Sequence, residues 1–233
     1  MIRSRISTVF FALIHEIFKV IKKLLPAAVL IISAALCGCE STFDDSQPIS
    51  GPFLSGQEWN AQKLILVDLQ KYKVNGSMIL DLIPRTSYGS NTNTRGSASF
   101  LYSRSGIDCT FTVTHALAGQ LLKIRKSKEA GGIELTGSEG NQYRFSSERE
   151  FMEAVSLPVD RMPYMIMGVT FGDESETRYD ENGRLAYQVV DGWRIRYYEY
   201  GRFGDFVLPS KLKLENVSVG TIKITVKGWN FTL

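Results

Sequence analysis

The chain has few of the residues that carry catalytic or metal chemistry. Its 233 residues include three cysteines and two histidines. Cys37, Cys39 and His15 lie near the amino terminus, which leaves Cys109 and His115 for the rest of the chain. One histidine cannot form a histidine-rich metal site, and no spacing supports a Cys–His pair for thiol catalysis. The missing nucleophile–base constellation favours a protein that is not an enzyme and needs no cofactor.

A long hydrophobic run is also missing. Residues 24–35 form an apolar segment that follows Lys22 and Lys23 and is interrupted by Pro26 and Ser33. This segment is shorter than the roughly 20 apolar residues that a membrane-spanning helix needs. A basic flank before a short apolar core is typical of a secretory signal peptide, whether the leader starts at Met1 or near residue 21. The alternatives are an uncleaved anchor and an ordinary signal peptide cut elsewhere.

The residues that end this segment, Leu36-Cys37-Gly38-Cys39, resemble the lipobox of bacterial lipoproteins. The resemblance implies cleavage before Cys39 and acylation of its sulfur and its new amino group. Cys37 fits worse, because Leu36 would then precede the cut, where a small residue is wanted. We therefore predict a signal peptide over residues 1–38, an acylated tether over 39–57 that forms a loose coil, and a folded domain over 58–233.

A surplus of charge of one sign is absent once this leader is set aside. Residues 1–38 contain five of the 27 basic residues and one of the 24 acidic residues, which leaves 22 and 23 in the mature chain. A net charge of −1 gives no support for a nucleic-acid partner. The remaining 195 residues are enough for one domain with a sizeable core.

Apolar and polar residues alternate through most of the chain after residue 76, and this alternation predicts strands. Cys109, Phe111 and Val113, for example, alternate with threonines, so we interpret Cys109 as an apolar strand residue. Strands joined by short turns and apolar on one side form an antiparallel sheet with one apolar face. The predicted strands cover residues 76–84, 95–103, 107–114, 119–126, 132–136, 142–145, 184–190, 193–200, 211–215 and 221–227.

Three helices are predicted beside these strands. An apolar stripe of Leu64, Val67 and Leu69, with Trp59 and Leu66 nearby, predicts a helix over 59–72. A serine cap predicts a second helix from residue 146, and an apolar stretch predicts a third over 160–168. A sheet of nine or more strands curls, and the two mid-chain helices are too small to fill its concave face. We therefore predict a mainly β (α+β) fold, a curved antiparallel half-barrel with a short helical lid over an underfilled apolar cavity.

Taken in order, several segments of the chain resemble the LolB family of outer-membrane lipoprotein receptors. They are the lipobox at Cys39, Trp59 in the first helix, the strand-loop-strand 110–119, Leu157-Pro158 followed by Gly168, the segment 193–200, and the ending from Pro209 to Trp229. The resemblance implies an open β-barrel, anchored in the outer membrane and facing the periplasm. It implies a monomer that takes the acyl chains of lipoproteins from a periplasmic LolA-like carrier and passes them to outer-membrane lipid.

The resemblance also implies a protruding apolar loop residue that helps to pass cargo into the membrane, and by position this residue is Leu117. Ala116-Leu117-Ala118-Gly119 stands where the family has a Pro-Leu-Gly loop, and Met165 stands where it tends to carry tryptophan. From the sequence alone, Leu117 could simply cap the core beneath its hairpin. The predicted cavity lining is apolar and inward-facing: Phe100, Phe111, Val113, Leu122, Ile124, Met152, Met162, Met165, Tyr187, Ile195, Leu214 and Ile224.

Two other functions compete with that of an acyl-chain receptor. The same fold could serve as a non-enzymatic envelope scaffold or sensor that binds a protein partner, with its methionines as ordinary core residues. A hydrolase acting on lipid or peptidoglycan is disfavoured by the missing nucleophile–base pair.

Overall fold

The computed structural model describes residues 43–83, 94–155, 157, 161–170 and 176–231. The predicted signal peptide and Cys39 lie outside these residues. Within them, eleven strands form a single sheet. The strands are β1 (Lys71–Leu82), β2 (Thr94–Ser105), β3 (Asp108–His115), β4 (Gly119–Ser127), β5 (Gly132–Gly137), β6 (Gln142–Phe145), β7 (Arg178–Tyr179), β8 (Leu185–Val190), β9 (Trp193–Phe203), β10 (Phe206–Asn216) and β11 (Gly220–Phe231).

The sheet is antiparallel throughout, with the order β6-β5-β4-β3-β2-β1-β11-β10-β9-β8-β7. Serial hairpins build each half, and the two halves meet where β1 pairs with β11, from Tyr72 opposite Phe231 to Leu82 opposite Gly220. β6 and β7 are the two edges, so the sheet is open. The predicted class, a largely antiparallel open sheet with few helices, is confirmed.

The turns divide the sheet into two ends. At one end, which we call the Leu117 end, β3 turns into β4 around Leu117 and β10 turns into β11 around Val217. β1 also finishes there, at Leu82 opposite Gly220, and β9 starts there, at Trp193 after the β8–β9 turn. At the opposite end, the Ile107 end, β2 turns into β3 around Ile107 and β9 turns into β10.

In the part of the chain that the structure describes, three helices accompany the sheet: α1 (Gly56–Asp68), α2 (Glu148–Val155) and α3 (Met162–Met167). α1 begins at a capping box, in which the Ser55 amide donates to Glu58 Oε2 at 2.8 Å and the Glu58 amide donates to Ser55 Oγ at 3.3 Å. The serine cap predicted for α2 is present, because the Glu150 amide donates to Ser147 Oγ at 3.2 Å. α3 ends at Gly168, which has a φ of 69°.

The apolar stripe predicted for the first helix is wrong at Leu64 and Val67. α1 buries Gln62 and Leu66, whereas Leu64 is 72% exposed and Val67 is 44% exposed. Positions 59, 62 and 66 share one face of a helix, and Leu64 and Val67 lie outside that face. The helix also ends at Asp68 because β1 begins at Lys71, five residues before the predicted strand start.

The loose coil predicted before α1 is also wrong for the described part of the tether. Residues 43–51 pack on the sheet, where Ser50 forms a parallel bridge with Glu199 of β9. The Ser50 amide donates to the Tyr198 carbonyl, and the Tyr200 amide donates to the Ser50 carbonyl, both at 3.0 Å. The composition of this segment is typical of a coil, but backbone hydrogen bonds to a neighbouring strand are independent of composition.

Candidate functional site

The inner face of the sheet carries one continuous apolar cluster, which we call the inner cluster. It runs from β6 through the centre of the sheet to β8 and includes buried residues from all three described helices. Of the twelve predicted lining residues, nine are buried in this cluster with exposures of 0–4%. They are Phe100, Phe111, Val113, Ile124, Met162, Met165, Ile195, Leu214 and Ile224.

The short helix α3 covers the part of this face formed by β9 and β10. Met165 and Met167 are each 1% exposed. Tyr197 Oη donates to the Met165 carbonyl at 2.8 Å, and Gln188 Nε2 donates to Tyr197 Oη at 2.6 Å. Burial raises the pKa of Tyr197, which keeps its hydroxyl protonated as the donor to the helix. This hydrogen bond, the buried methionines, a bond from Arg104 of β2 to Tyr164, and an ion pair at 2.9 Å between Arg161 at the start of α3 and Asp191 hold α3 to the sheet.

The underfilled hollow predicted from the sequence is not seen beside these residues. Side chains that line a space wide enough for a hydrocarbon chain keep exposed area, and nine of the predicted lining residues keep almost none. The sequence assigns the cover to the two mid-chain helices, whereas in the structure α1 also contributes to it. Leu66 of α1, 1% exposed, joins the inner cluster.

Two of the twelve residues are placed away from the inner cluster. The prediction for Tyr187 is wrong, because this residue lies on the outer face. It pairs with the exposed Arg196, and the Arg178 guanidinium lies 5.6 Å from the centre of the Tyr187 ring. Leu185 and Gln188 are the β8 residues that point inward, so the alternation slips by one within this strand. Met152 of α2 is half-buried, and its neighbour Phe151 enters the inner cluster instead.

Leu122 is half-buried and packs against the inner cluster from its rim. The register of β3 and β4 shifts between Val113 and Thr114, so Leu121 is an extra residue, and it is 4% exposed. Two neighbouring leucines thus share the position that the sequence assigned to Leu122 alone.

Polar groups that the sequence argument missed lie beside this apolar face. Arg104, read from the sequence as a turn residue, belongs to β2 and bonds to Tyr164 of α3 and to Tyr72 of β1. Burial raises the pKa of Tyr72 to about 12, although the Arg104 cation acts in the opposite direction. Gln62 of α1 pairs with both backbone groups of Val207 at 2.8 Å. No local pattern marks either residue, because each partner is distant in sequence.

The β3–β4 turn presents Leu117 to solvent. Its side chain is 80% exposed, which removes the alternative in which it caps the core. Ala118 packs against the inner cluster, and the Leu117 amide donates to His115 Nδ1 at 3.2 Å. Gly119 closes the turn with a φ of 69°. A large apolar side chain is thus held at the tip of a short, hydrogen-bonded turn.

Neither a metal centre nor a membrane-spanning helix is found in the described parts of the chain. No three His, Cys, Asp or Glu residues there are grouped to hold a metal ion. No helix there is long and apolar enough to cross a membrane. Cys109 is buried in β3 at 5% exposure, as expected of an apolar strand residue.

Comparisons with known proteins identify relatives over most of the chain. A family model described as outer membrane lipoprotein LolB matches residues 81–229. Proteins named outer-membrane lipoprotein LolB are similar: one from Pseudomonas putida is 28% identical over 202 residues, 84% of this chain and 91% of that protein. One from Coxiella burnetii is 22% identical over 205 residues, 87% and 91% of the two chains.

Among solved structures, a LolA superfamily protein from Nitrosomonas europaea aligns with a TM-score of 0.43 and 9% identity, covering 77% of this chain and 94% of that one. A DUF1329 family protein from Desulfovibrio piger aligns with a TM-score of 0.41 and 8% identity, covering 76% and 91%.

Proposed function

Because the chain belongs to the LolB family of outer-membrane lipoproteins, we propose that it receives the acyl chains of lipoproteins on its inner face and delivers them to the outer membrane. It is a lipoprotein of that membrane, facing the periplasm, with Cys39 as its acylated residue. It acts as a monomer, takes its cargo from a LolA-like periplasmic carrier, and performs no catalysis.

The observation that carries this proposal is the one-sided apolar sheet covered by a short helix rich in methionine. Burying a 16-carbon acyl chain contributes roughly 12 kcal/mol, at about 0.8 kcal/mol per methylene. A receptor must offer apolar area of comparable size, and the inner cluster is the part of the described structure that does so. Since this area is already buried, cargo binds only when one of the covering helices moves off the sheet.

α3 is the helix best suited to move off the sheet. It has six residues, and Met162, Met165 and Met167 supply three of its buried side chains. Unbranched thioether side chains repack around differently shaped neighbours at little cost. The acyl chain takes the place of these methionines on β9 and β10, so that apolar area exposed by the helix is covered again by cargo.

Delivery then proceeds towards the membrane without an energy-supplying nucleotide. The sequence has no Gly-rich loop leading into a helix, as phosphate binding would require. Transfer must therefore be downhill, which requires the pocket to hold its cargo less tightly than a bilayer does. Replaceable methionine contacts meet this requirement, and Leu117 at its exposed turn is the residue that meets the lipid.

A transfer assay tests the proposal. The mature chain with Cys39→Ala is incubated with a LolA-like carrier loaded with a fluorescently labelled lipoprotein, and the label is followed by co-purification. We expect the label to move to the chain. No transfer, together with no binding of a hydrophobic dye, would overturn the proposal.

A scaffold or sensor is the second candidate, and the filled inner face is the observation that favours it. In that case a protein partner binds an outer surface and α3 never leaves the sheet. Cross-linking α3 to β10 through introduced cysteines separates the two functions, because it abolishes transfer by a receptor and leaves a scaffold unaffected. The reduced form of the same variant is the control.

A further inference from the structure

Residues 43–51, which we call the docked segment, are held to the edge of β9 by groups that allow little freedom. Arg184 donates to the carbonyls of Ile49 at 2.6 Å and Gly51 at 2.8 Å, while Asp180 bonds to the same guanidinium at 2.8 Å. Gly51 has a φ of 93°, and a Cβ there would lie 1.9 Å from the Tyr200 carbonyl oxygen. Only glycine fits this position.

Asp45 attaches the start of the docked segment to the outer face. Its carboxylate accepts a hydrogen bond from Tyr198, binds Lys213 Nζ at 3.0 and 3.1 Å, and binds Arg196 at 3.1 Å. The Tyr198 hydrogen bond is the largest cause that lowers the pKa of Asp45 to about 2. Phe43 packs edge-on against Tyr198 with ring centres 5.3 Å apart.

The direction of the docked segment brings its first residue, Phe43, towards the Leu117 end. The segment runs parallel to β9, so its amino-terminal part lies towards the start of β9, which is at that end. Phe43 lies beneath Lys223, three residues from the end of β11 at Gly220, or about 10 Å. Cys39 is four residues before Phe43, a reach of at most about 14 Å.

The opposite end is out of this reach. Phe231, where β11 finishes, is eight residues from Lys223, or about 27 Å along the strand. An undocked chain from Cys39 to Ser55 could extend roughly 50 Å and would let either end face the membrane. Because residues 43–51 are docked on the sheet, the Ile107 end is too far from Cys39 to face the membrane.

Exposed apolar side chains mark the end that the anchor reaches. Val217, at the tip of the β10–β11 turn, is 79% exposed, and Leu117 is 80% exposed. The Ile83 amide donates to the Val219 carbonyl at 3.0 Å, so a third such side chain, 43% exposed, adjoins the Val217 turn. The two turns are four strand spacings apart, on the order of 20 Å across the sheet.

We propose that the docked segment orients the domain with its Leu117 end against the phospholipid bilayer, and that Val217 enters the bilayer as a second contact beside Leu117. The proposal takes the acylated Cys39 and its membrane from the proposed function. A lipid surface is the partner because the anchor holds Phe43, which is about 10 Å from this end of the sheet, within about 14 Å of the bilayer, so apolar turn tips at this end come close to lipid. Two contacts this far apart fix the tilt of the domain relative to the bilayer, which a single contact would not fix.

A fluorescent probe tests the second contact. The environment-sensitive dye NBD is attached to Val217→Cys in the mature acylated chain, in vesicles of phosphatidylethanolamine and phosphatidylglycerol. Matched probes are placed at Leu117→Cys and at Ile107→Cys, whose native side chain is an exposed apolar turn residue at the opposite end. We expect blue-shifted emission and quenching by brominated acyl chains at 117 and 217, and neither at 107.

A probe at 217 that behaves like the probe at 107 would overturn the second contact. A blue shift of the probe at 217 that appears only when the carrier is added, without quenching by brominated acyl chains, would also overturn it, because the partner would then be a protein. Cargo transfer is measured on the same samples. Transfer without quenching at 217 removes this inference alone, and quenching without transfer removes the receptor function alone.

The role of the docked segment is tested by Asp45→Ala, with Gly51→Ala as an independent route to the same release. Asp205→Asn, an exposed acid in the β9–β10 turn, is the control. Far-ultraviolet circular dichroism confirms the fold of each variant. We expect Gly51→Ala to lose the quenching at 217, Asp45→Ala to weaken it because Arg184 and the backbone hydrogen bonds of Ser50 remain, and the control to keep it. Unchanged quenching in folded release variants would show that the docked segment does not set the orientation.

Discussion

The two faces of the sheet are built from the same strands but are covered in different ways. On the inner face, helices lie over a continuous apolar cluster whose members are almost fully buried. On the outer face, the docked segment is held by backbone hydrogen bonds, by Arg184 and by the ion pairs of Asp45. Apolar burial provides most of the stability of the domain, whereas exposed ion pairs provide position at little energetic cost. The inner face therefore determines whether the domain folds, and the outer face determines how it is oriented.

The largest difference between the faces is expected in the free energy of unfolding. Ile124→Ala removes a fully buried inner side chain and should reduce the free energy of unfolding by about 2–5 kcal/mol, through lost burial and the cavity left behind. Urea denaturation measures this change. Leu117→Ala, at an exposed position, should change it by less than about 0.5 kcal/mol. Equal losses for the two variants would contradict the assignment of the inner face as the core.

Gly51→Ala should produce the largest effect on the outer face. A Cβ cannot lie 1.9 Å from the Tyr200 carbonyl oxygen, so the backbone at residue 51 must leave β9, at a cost of about 1–3 kcal/mol. Limited proteolysis should then cleave the docked segment while the rest of the domain stays resistant. Gly106→Ala also replaces a glycine with positive φ, but it meets no atom within 4 Å and should leave the docked segment protected.

Leu117→Glu tests whether the exposed turn takes part in delivery of cargo, because a change at this position should not alter the stability of the domain. The side chain makes no core contact, so cargo uptake should be unchanged. A charge at the tip should oppose entry into the bilayer and reduce the rate of delivery by about tenfold, equivalent to about 1.4 kcal/mol. Uptake and delivery are measured separately with labelled lipoprotein and vesicles. Leu117→Met is the matched control, and a loss of uptake in Leu117→Glu would place the residue in the binding site instead.

The smallest effect is the pH dependence of the docked segment. Because the folded pKa of Asp45 is about 2 and its unfolded value is 3.8, its contribution is present above pH 4 and is lost as the pH falls through 2. Its side chain is 51% exposed, so solvent screening limits this contribution to below about 1 kcal/mol. Acid titration of a probe on the docked segment should show the change, and Asp45→Asn should remove it.

The strands could largely be predicted from the sequence, and the errors occur where register or distant partners intervene. Alternation located the inward residues of β2, β3, β9, β10 and β11, because a half-buried strand must alternate. It failed at Tyr187, where the pattern of β8 slips by one. It also could not recognise Arg104 or Gln62 as inner-face residues, since their partners on α3, β1 and β10 are not encoded by neighbouring residues.

The sequence by itself determined the fold class and the helix caps, because periodicity and capping act over a few neighbouring residues, and it left open whether Leu117 is exposed or caps the core. Only the tertiary structure decided that the inner face is filled, that α1 presents Gln62 and Leu66 to it, and that the docked segment joins β9. Each of these depends on which surfaces meet after the sheet has curled, and a local pattern contains no information about a surface formed by residues more than a hundred positions away.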